Sequence, residues 1–169
     1  MNKIAKTFVA GSIVFGTALG ISVSNEGVSQ TEAQAATTQP WYEYSGYTSK
    51  GGDFVLDQSF YNGLKAGNVE FNGIKVNSQY TSDTATKTIY DQTFQQINGK
   101  KANSVTFDIQ NKAVSFKDIR VQYGQNYEYQ EPMNGEKKAS GDGLYGYDVG
   151  KGHIVFYVSN GYVKSATLS

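Results

Sequence analysis

The stretch Ile154-Val155-Phe156-Tyr157-Val158-Ser159-Asn160-Gly161-Tyr162-Val163-Lys164-Ser165-Ala166-Thr167-Leu168 decides the fold class. Two runs rich in β-branched and aromatic residues flank Asn160-Gly161. A two-residue type I′ turn needs positive φ at both central positions, which Asn and Gly tolerate best, so the stretch predicts an antiparallel hairpin. With Val158 opposite Val163, alternation places Ile154, Phe156, Val158, Val163, Ser165 and Thr167 on one face. It pairs Tyr157 with Lys164 on the other.

Working back towards the N-terminus, Leu144 to Val149 reads as a further strand, and Gln125 to Asp142 as a long polar surface loop containing Pro132. Ser115-Phe116-Lys117-Asp118 resembles a capping box with Asp in place of Glu, followed by Ile119 and Tyr123 on the Phe116 face and by Gly124 as a stop. Asn103 to Gln110 alternates cleanly, with Val105, Phe107 and Ile109 inward. Val69 to Val76 and Lys87 to Ile97 also have strand composition. Asn98-Gly99-Lys100-Lys101-Ala102 joins two of these runs and is expected to carry two adjacent lysines at an exposed tip.

Further back, Leu56, Phe60 and Leu64 recur every four residues, predicting a helix over Phe54 to Lys65 that Gly67 ends. Trp41 to Tyr47 has the period of a strand after Tyr42, Thr48 to Asp53 reads as a loop, and residues 36–40 form a loose leader. The order predicts an α+β domain over residues 36–169. Two short helices pack on one face of a mostly antiparallel sheet in a single domain.

Residues 1–35 read as a signal peptide: Lys3 and Lys6, an apolar stretch from Thr7 to Val23, then Ala33-Gln34-Ala35 before the expected cleavage point. Gly11, Ser12, Gly16, Thr17 and Gly20 interrupt the apolar stretch, which is too short for the roughly 20 apolar residues of a spanning helix. No cysteine is present to take a lipid or form a disulfide, and the C-terminus carries no apolar tail. The expectation is a secreted protein, free or held noncovalently at the cell surface, with no stable membrane insertion after cleavage.

Catalysis finds little support. The single histidine, His153, lies at the start of a strand with no nucleophile motif beside it, and is read as an ordinary strand-end residue. One His and no Cys do not make the common zinc sites, and Ser140-Gly141-Asp142 with Asp148 lacks the spacing of a calcium loop. Glu43, Asp53, Asp57, Asp91 and Asp108 could serve a hydrolase only if folding brought them together. No catalytic residue, metal or cofactor is expected.

The binding surface is the remaining candidate. Removing residues 1–35 takes away Lys3, Lys6, Glu26 and Glu32, so the net charge of zero is unchanged and no global polyanion-attracting field exists. Between Lys65 and Arg120, however, basic residues outnumber acidic ones. Lys75, Lys87, Tyr90, Lys100, Lys101, Lys112, Lys117 and Arg120 are the candidate contacts for DNA or RNA, with lysines for phosphates and tyrosine for stacking. Trp41, Tyr42, Tyr44 and Tyr47 are the alternative, as surface aromatics for a host or envelope protein.

WYEYSGY at 41–47, FVLDQSFYNGLKAGNVEFNGIKV at 54–76, YDQTF at 90–94 and SFKDIRVQYG at 115–124 resemble the immunodominant staphylococcal antigen B family, in the same order and after a similar signal peptide. The resemblance implies a secreted or loosely cell-associated antigen that binds extracellular nucleic acid and has no established enzymatic activity. It carries over no individual binding residue.

Overall fold

The computed structural model describes residues 39–80, 85–132 and 139–169. The expected signal peptide and the residues up to 38 lie outside them. In chain order the elements are β1 (Tyr42–Tyr44), a 3₁₀ turn (Asp53–Leu56), α1 (Gln58–Ala66), β2 (Val69–Phe71), β3 (Ile74–Val76), β4 (Thr86–Ile89), β5 (Gln92–Gln95), β6 (Lys101–Ala102) and β7 (Ser104–Asp108). Then come α2 (Phe116–Tyr123), β8 (Glu128–Gln130), β9 (Gly143–Val149), β10 (Gly152–Ser159) and β11 (Tyr162–Leu168). The strands form two sheets. One has the order β1-β2-β3-β6, the other β4-β5-β7-β11-β10-β9-β8. Every pairing in the larger sheet is antiparallel, whereas β1 with β2 and β3 with β6 are parallel.

The expected α+β class holds, and both helices form for the local reasons anticipated. Ser115 caps α2: its side chain accepts from the Asp118 amide at 3.1 Å, while the Asp118 carboxylate accepts from the Ser115 amide. Gly67 ends α1 in the left-handed conformation (φ 70°). The first helix is divided, since Phe54 lies in the 3₁₀ turn and the α-helical part starts only at Gln58. Gly63, a weak helix former, is where α1 crosses β1. A Cβ there would stand 2.7 Å from Tyr42 Cβ.

Four expectations about strands need correction. Val69 to Val76 is two strands, because Asn72-Gly73 forms a tight turn with φ of 49° and 82°. Lys87 to Ile97 likewise breaks into β4 and β5 at Tyr90-Asp91, with Tyr90 at φ 56°. The polar loop after Gln125 contains β8, whose Tyr129 packs on Tyr145 with ring centroids 5.1 Å apart and donates to the Asp142 carbonyl at 2.9 Å; its residues 133–138 lie outside the described set.

The fourth correction falls in the hairpin itself. Val158 does pair with Val163, but the register then shifts, so Tyr157 pairs with Ser165, Phe156 with Ala166 and Ile154 with Leu168. Lys164 is the extra residue of a bulge, and its carbonyl accepts from Ile109 N at 2.9 Å. Ala166 and Leu168 consequently join Val163 in the core, and Ser165 and Thr167 face outward instead. Burying the apolar side chains favours this slip over an unbroken ladder.

Phenylalanines join the two sheets. Phe71 of β2 meets Phe107 of β7 at 5.1 Å, and Phe54 contacts Phe71, Phe107, Phe60, Tyr42 and Tyr44. α1, α2 and the small sheet thus cover the core face of the large sheet. Its other face is open and rich in hydroxyls: Thr88, Thr93, Thr106 and Thr167 stand in register across β4, β5, β7 and β11.

Candidate binding surface

The small sheet turns one face inward through Tyr42, Val69, Phe71, Ile74, Val76 and Ala102, all buried. Strand alternation then forces the intervening residues outward. Register places them in one row, Glu43–Glu70–Lys75–Lys101, running across all four strands. The row is polar in a second sense: it is acidic on β1 and β2 and basic on β3 and β6. Lys100 adjoins the basic end, where its carbonyl accepts from Lys75 N at 2.9 Å. Lys75, Lys100 and Lys101 are all exposed.

Beside this row lies a groove of about 390 Å³, lined by Trp41, Gly67, Asn68, Glu70, Lys75 and Tyr80 among others. Trp41 is 43% exposed. Tyr80 is positioned by a turn in which its amide donates to the Asn77 carbonyl at 2.9 Å, and Asn103 Nδ2 donates to the Ser78 carbonyl at 2.7 Å. Lys101 Nζ stands 5.0 Å from the Tyr80 ring centroid, a cation–π distance. Asn68 Nδ2 donates to the Pro40 carbonyl at 3.2 Å, holding the approach to Trp41.

The other candidate residues lie elsewhere. Lys87 is on β4, opposite Phe94 in register, and Tyr90 is in the turn that follows. Tyr90 is 56% exposed and packs edge-on against Tyr47 at 4.8 Å, with Lys50 Nζ 5.8 Å from the Tyr47 ring. Lys112 occupies a turn after β7 with φ 64°. Lys117 is exposed on α2, whereas Arg120 is half-buried with its guanidinium 5.1 Å from the Phe116 ring. The structure therefore brings together Lys75, Lys100 and Lys101, and distributes Lys87, Tyr90, Lys112, Lys117 and Arg120 over three other places. The open face of the large sheet contributes none of them; its outward rows carry Asp108, Asp148 and Glu128.

Arg120 belongs to an aromatic cluster. Phe116, Tyr127 and Tyr145 are in mutual ring contact, Tyr129 packs on Tyr145, and Tyr127 extends the chain to Tyr147 and through it to Tyr123. Burial, assisted by Tyr127, pushes the Tyr147 hydroxyl up to about 12, with the Arg120 charge opposing.

Tyr42 and Tyr44 do not present themselves to a partner. Both are 6% exposed, because the pairing of Tyr42 with Val69 and Tyr44 with Phe71 points them inward onto Phe54. Trp41, in the opposite phase, and Tyr47, beyond the end of β1, remain exposed.

The acids are likewise distributed. Asp91 is tied into a backbone cage: Oδ1 accepts from Thr48 N at 3.0 Å and Oδ2 from Ser49 N at 2.8 Å. Burial would raise its carboxyl, but hydrogen bonds from Ser49 and Thr48 hold it below the usual carboxylate range. The buried Gln92 side chain joins this cage, donating to Asp91 and accepting from Asn72. Asp57 moves the other way, raised by burial and by Asp53. Glu43 sits on the small sheet's outer row and Asp108 on the outer face of the large sheet. Asp142, read in sequence beside a would-be calcium loop, is 1% exposed and accepts from Asn160 N at 2.7 Å and Ala139 N at 3.1 Å. His153 Nε2 is 4.0 Å from exposed Asp148. Among the described residues no three His, Asp or Glu side chains are grouped to hold a metal, and no helix is long and apolar enough to cross a membrane.

Sequence reasoning missed the groove. Trp41 was legible as a surface aromatic, but Tyr80, Asn68 and Glu70 carry no motif and come together only through the sheet register and the turn after β3.

The profile of the immunodominant staphylococcal antigen B family matches residues 41–168. Proteins of that name from Staphylococcus aureus strains USA300, NCTC 8325 and MW2 are each 37% identical over 154 residues, spanning 89% of this chain and 84% of the relative. A solved structure of a DUF4309 family protein from Bacillus subtilis aligns over 46% of this chain and 55% of its own, at 12% identity and a TM-score of 0.36.

Proposed function

We propose, for a chain that belongs to the immunodominant staphylococcal antigen B family, a secreted, nonenzymatic binding protein that holds extracellular nucleic acid on the outer face of its small sheet. The observation that carries this reading is the placement of Lys75 and Lys101 as register partners on neighbouring strands, with Lys100 beside them. Two ammonium groups in register, with a third exposed lysine next to them in the chain, suit a run of phosphates, and the charge is local, as a chain of zero net charge requires. Secretion rests on the signal-peptide pattern of residues 1–35.

Three phosphate contacts release about three condensed counterions, so log K should fall against log salt with a slope of roughly −2 for a single strand. Fluorescence anisotropy with a labelled oligonucleotide at low and moderate salt tests this. Salt-sensitive binding supports the reading, whereas no binding at low salt, or binding indifferent to salt, contradicts it.

A second reading is supported by exposed Trp41, Tyr47 and Tyr90: contact with a host or envelope protein. Capture of one defined protein from a nuclease-treated extract, lost in Tyr47→Ala/Tyr90→Ala, would favour it over the first.

A further inference from the structure

Phosphate contacts alone do not distinguish a duplex from a single strand, and a groove with aromatic walls lies beside them. Trp41 and Tyr80 both line it, so its walls offer two aromatic surfaces within one cavity of about 390 Å³, enough for a nucleobase and its sugar. The bases of a duplex are stacked on each other and present only their edges, whereas an unpaired base offers its whole face to an aromatic ring. The polarity of the outer row also matches a nucleotide. Glu70, on the groove lining, accepts hydrogen bonds from an exocyclic amine and repels phosphate. Lys75, on the same lining, and Lys101, against the Tyr80 ring, attract phosphate. A base is therefore favoured at the Trp41 and Glu70 end and its phosphate at the lysine end.

We infer that the groove between Trp41 and Tyr80 seats an unpaired nucleobase, making the protein selective for single-stranded over double-stranded nucleic acid. This rests on the phosphate-binding role of Lys75 and Lys101. It adds a class of ligand, and it identifies Trp41 and Tyr80 as the specificity-determining residues.

The chain supplies its own reporter, because Trp41 is the single tryptophan in the sequence. A short oligodeoxyadenylate, alone or annealed to its complement, is titrated into the full chain while Trp emission and the anisotropy of a labelled strand are followed. Stacking on the indole quenches emission, so the single strand should quench Trp41 and the duplex should not. Trp41→Ala, a change at an exposed position, should weaken single-strand binding about 5- to 160-fold, the range expected for one lost base stack, and leave duplex binding unchanged. Trp41→Phe should recover most of that affinity. Equal affinity for single strand and duplex with no quenching overturns the inference and leaves the lysine surface standing. Absence of binding to either form removes both. Quenching by a neutral oligosaccharide and not by the oligonucleotide also overturns it, reassigning the groove to a sugar.

Discussion

Lys75 on β3 and Lys101 on β6 are register partners in a parallel pair, so two like charges project side by side from the same face of the small sheet. Neighbouring like charges on a sheet do not stabilise it. Glu70 opposite Lys75 and the Tyr80 ring beside Lys101 offset part of the repulsion. Lys75→Gln and Lys101→Gln should each change unfolding stability by no more than about 0.5 kcal/mol, as for other exposed substitutions. Each should nonetheless weaken oligonucleotide binding. Denaturant unfolding paired with a binding titration checks this, and a loss of stability in step with the loss of binding would show that the lysines serve the fold.

Gly63 offers the sharpest test of the packing. In an exposed helix, Gly→Ala gains about 1 kcal/mol. Here the added methyl meets Tyr42 Cβ at 2.7 Å and Tyr42 N at 3.0 Å, and the backbone cannot swing aside as a side-chain tip would. Overpacking of this kind costs about 1–3 kcal/mol, so Gly63→Ala should forfeit the helix gain and lower stability by up to about 2 kcal/mol in urea titration. A stabilised variant would mean that α1 and β1 are not in close contact.

Asp91 sets the acid response of the loop that carries Tyr47. Its carboxyl is held below the ordinary value of 3.8, so the folded state binds the proton less readily than the unfolded one. The resulting stability is complete above that value and is lost as pH falls through the lower folded value. Asp57, raised by burial and by Asp53, works in the opposite direction and at pH above the ordinary value, where Asp91 acts below it, so the wild-type acid limb mixes both effects. Comparing wild type with Asp91→Asn isolates the first. The variant should be less stable at neutral pH, and the gap between the two should narrow as pH drops below about 4. A gap that does not change with pH would show that the carboxylate's charge contributes nothing to the cage.

Asp142 ties the Asn160-Gly161 turn to the chain before β9. Its two oxygens accept from Asn160 N and Ala139 N while the residue is 1% exposed. Asp142→Ala leaves both amides without this acceptor and should cost about 2–3 kcal/mol, read as a lowered midpoint of thermal unfolding. An unchanged midpoint would mean that water replaces the carboxylate at no cost.

Much of this fold is written locally. The Asn160-Gly161 turn, the Ser115 cap and the inward phase of Val105, Phe107 and Ile109 depend on neighbouring residues and were legible. Asn72-Gly73 carried the same turn signal as Asn160-Gly161 and was masked by the apolar residues around it. Tyr90-Asp91 carries no such signal: its turn is held by Asp91 bonds to Thr48 and Ser49, more than 40 residues away. The Lys164 bulge follows from the burial of Ala166 and Leu168, a preference that alternation alone does not express. The candidate groove was the least legible feature. Glu70 and Lys75 meet across the Asn72-Gly73 hairpin and Tyr80 follows in the next turn, but Trp41 joins them only through the parallel pairing of β1 with β2, which is beyond the reach of hairpin rules.

Whether the small sheet holds phosphates is decided by the salt dependence of oligonucleotide binding for the full chain and for Lys75→Glu/Lys101→Glu. The wild type should show a slope of roughly −2 in log K against log salt, with the variant about tenfold weaker or more at low salt and its slope moving towards zero. A variant that binds with the wild-type affinity and the wild-type slope would contradict it.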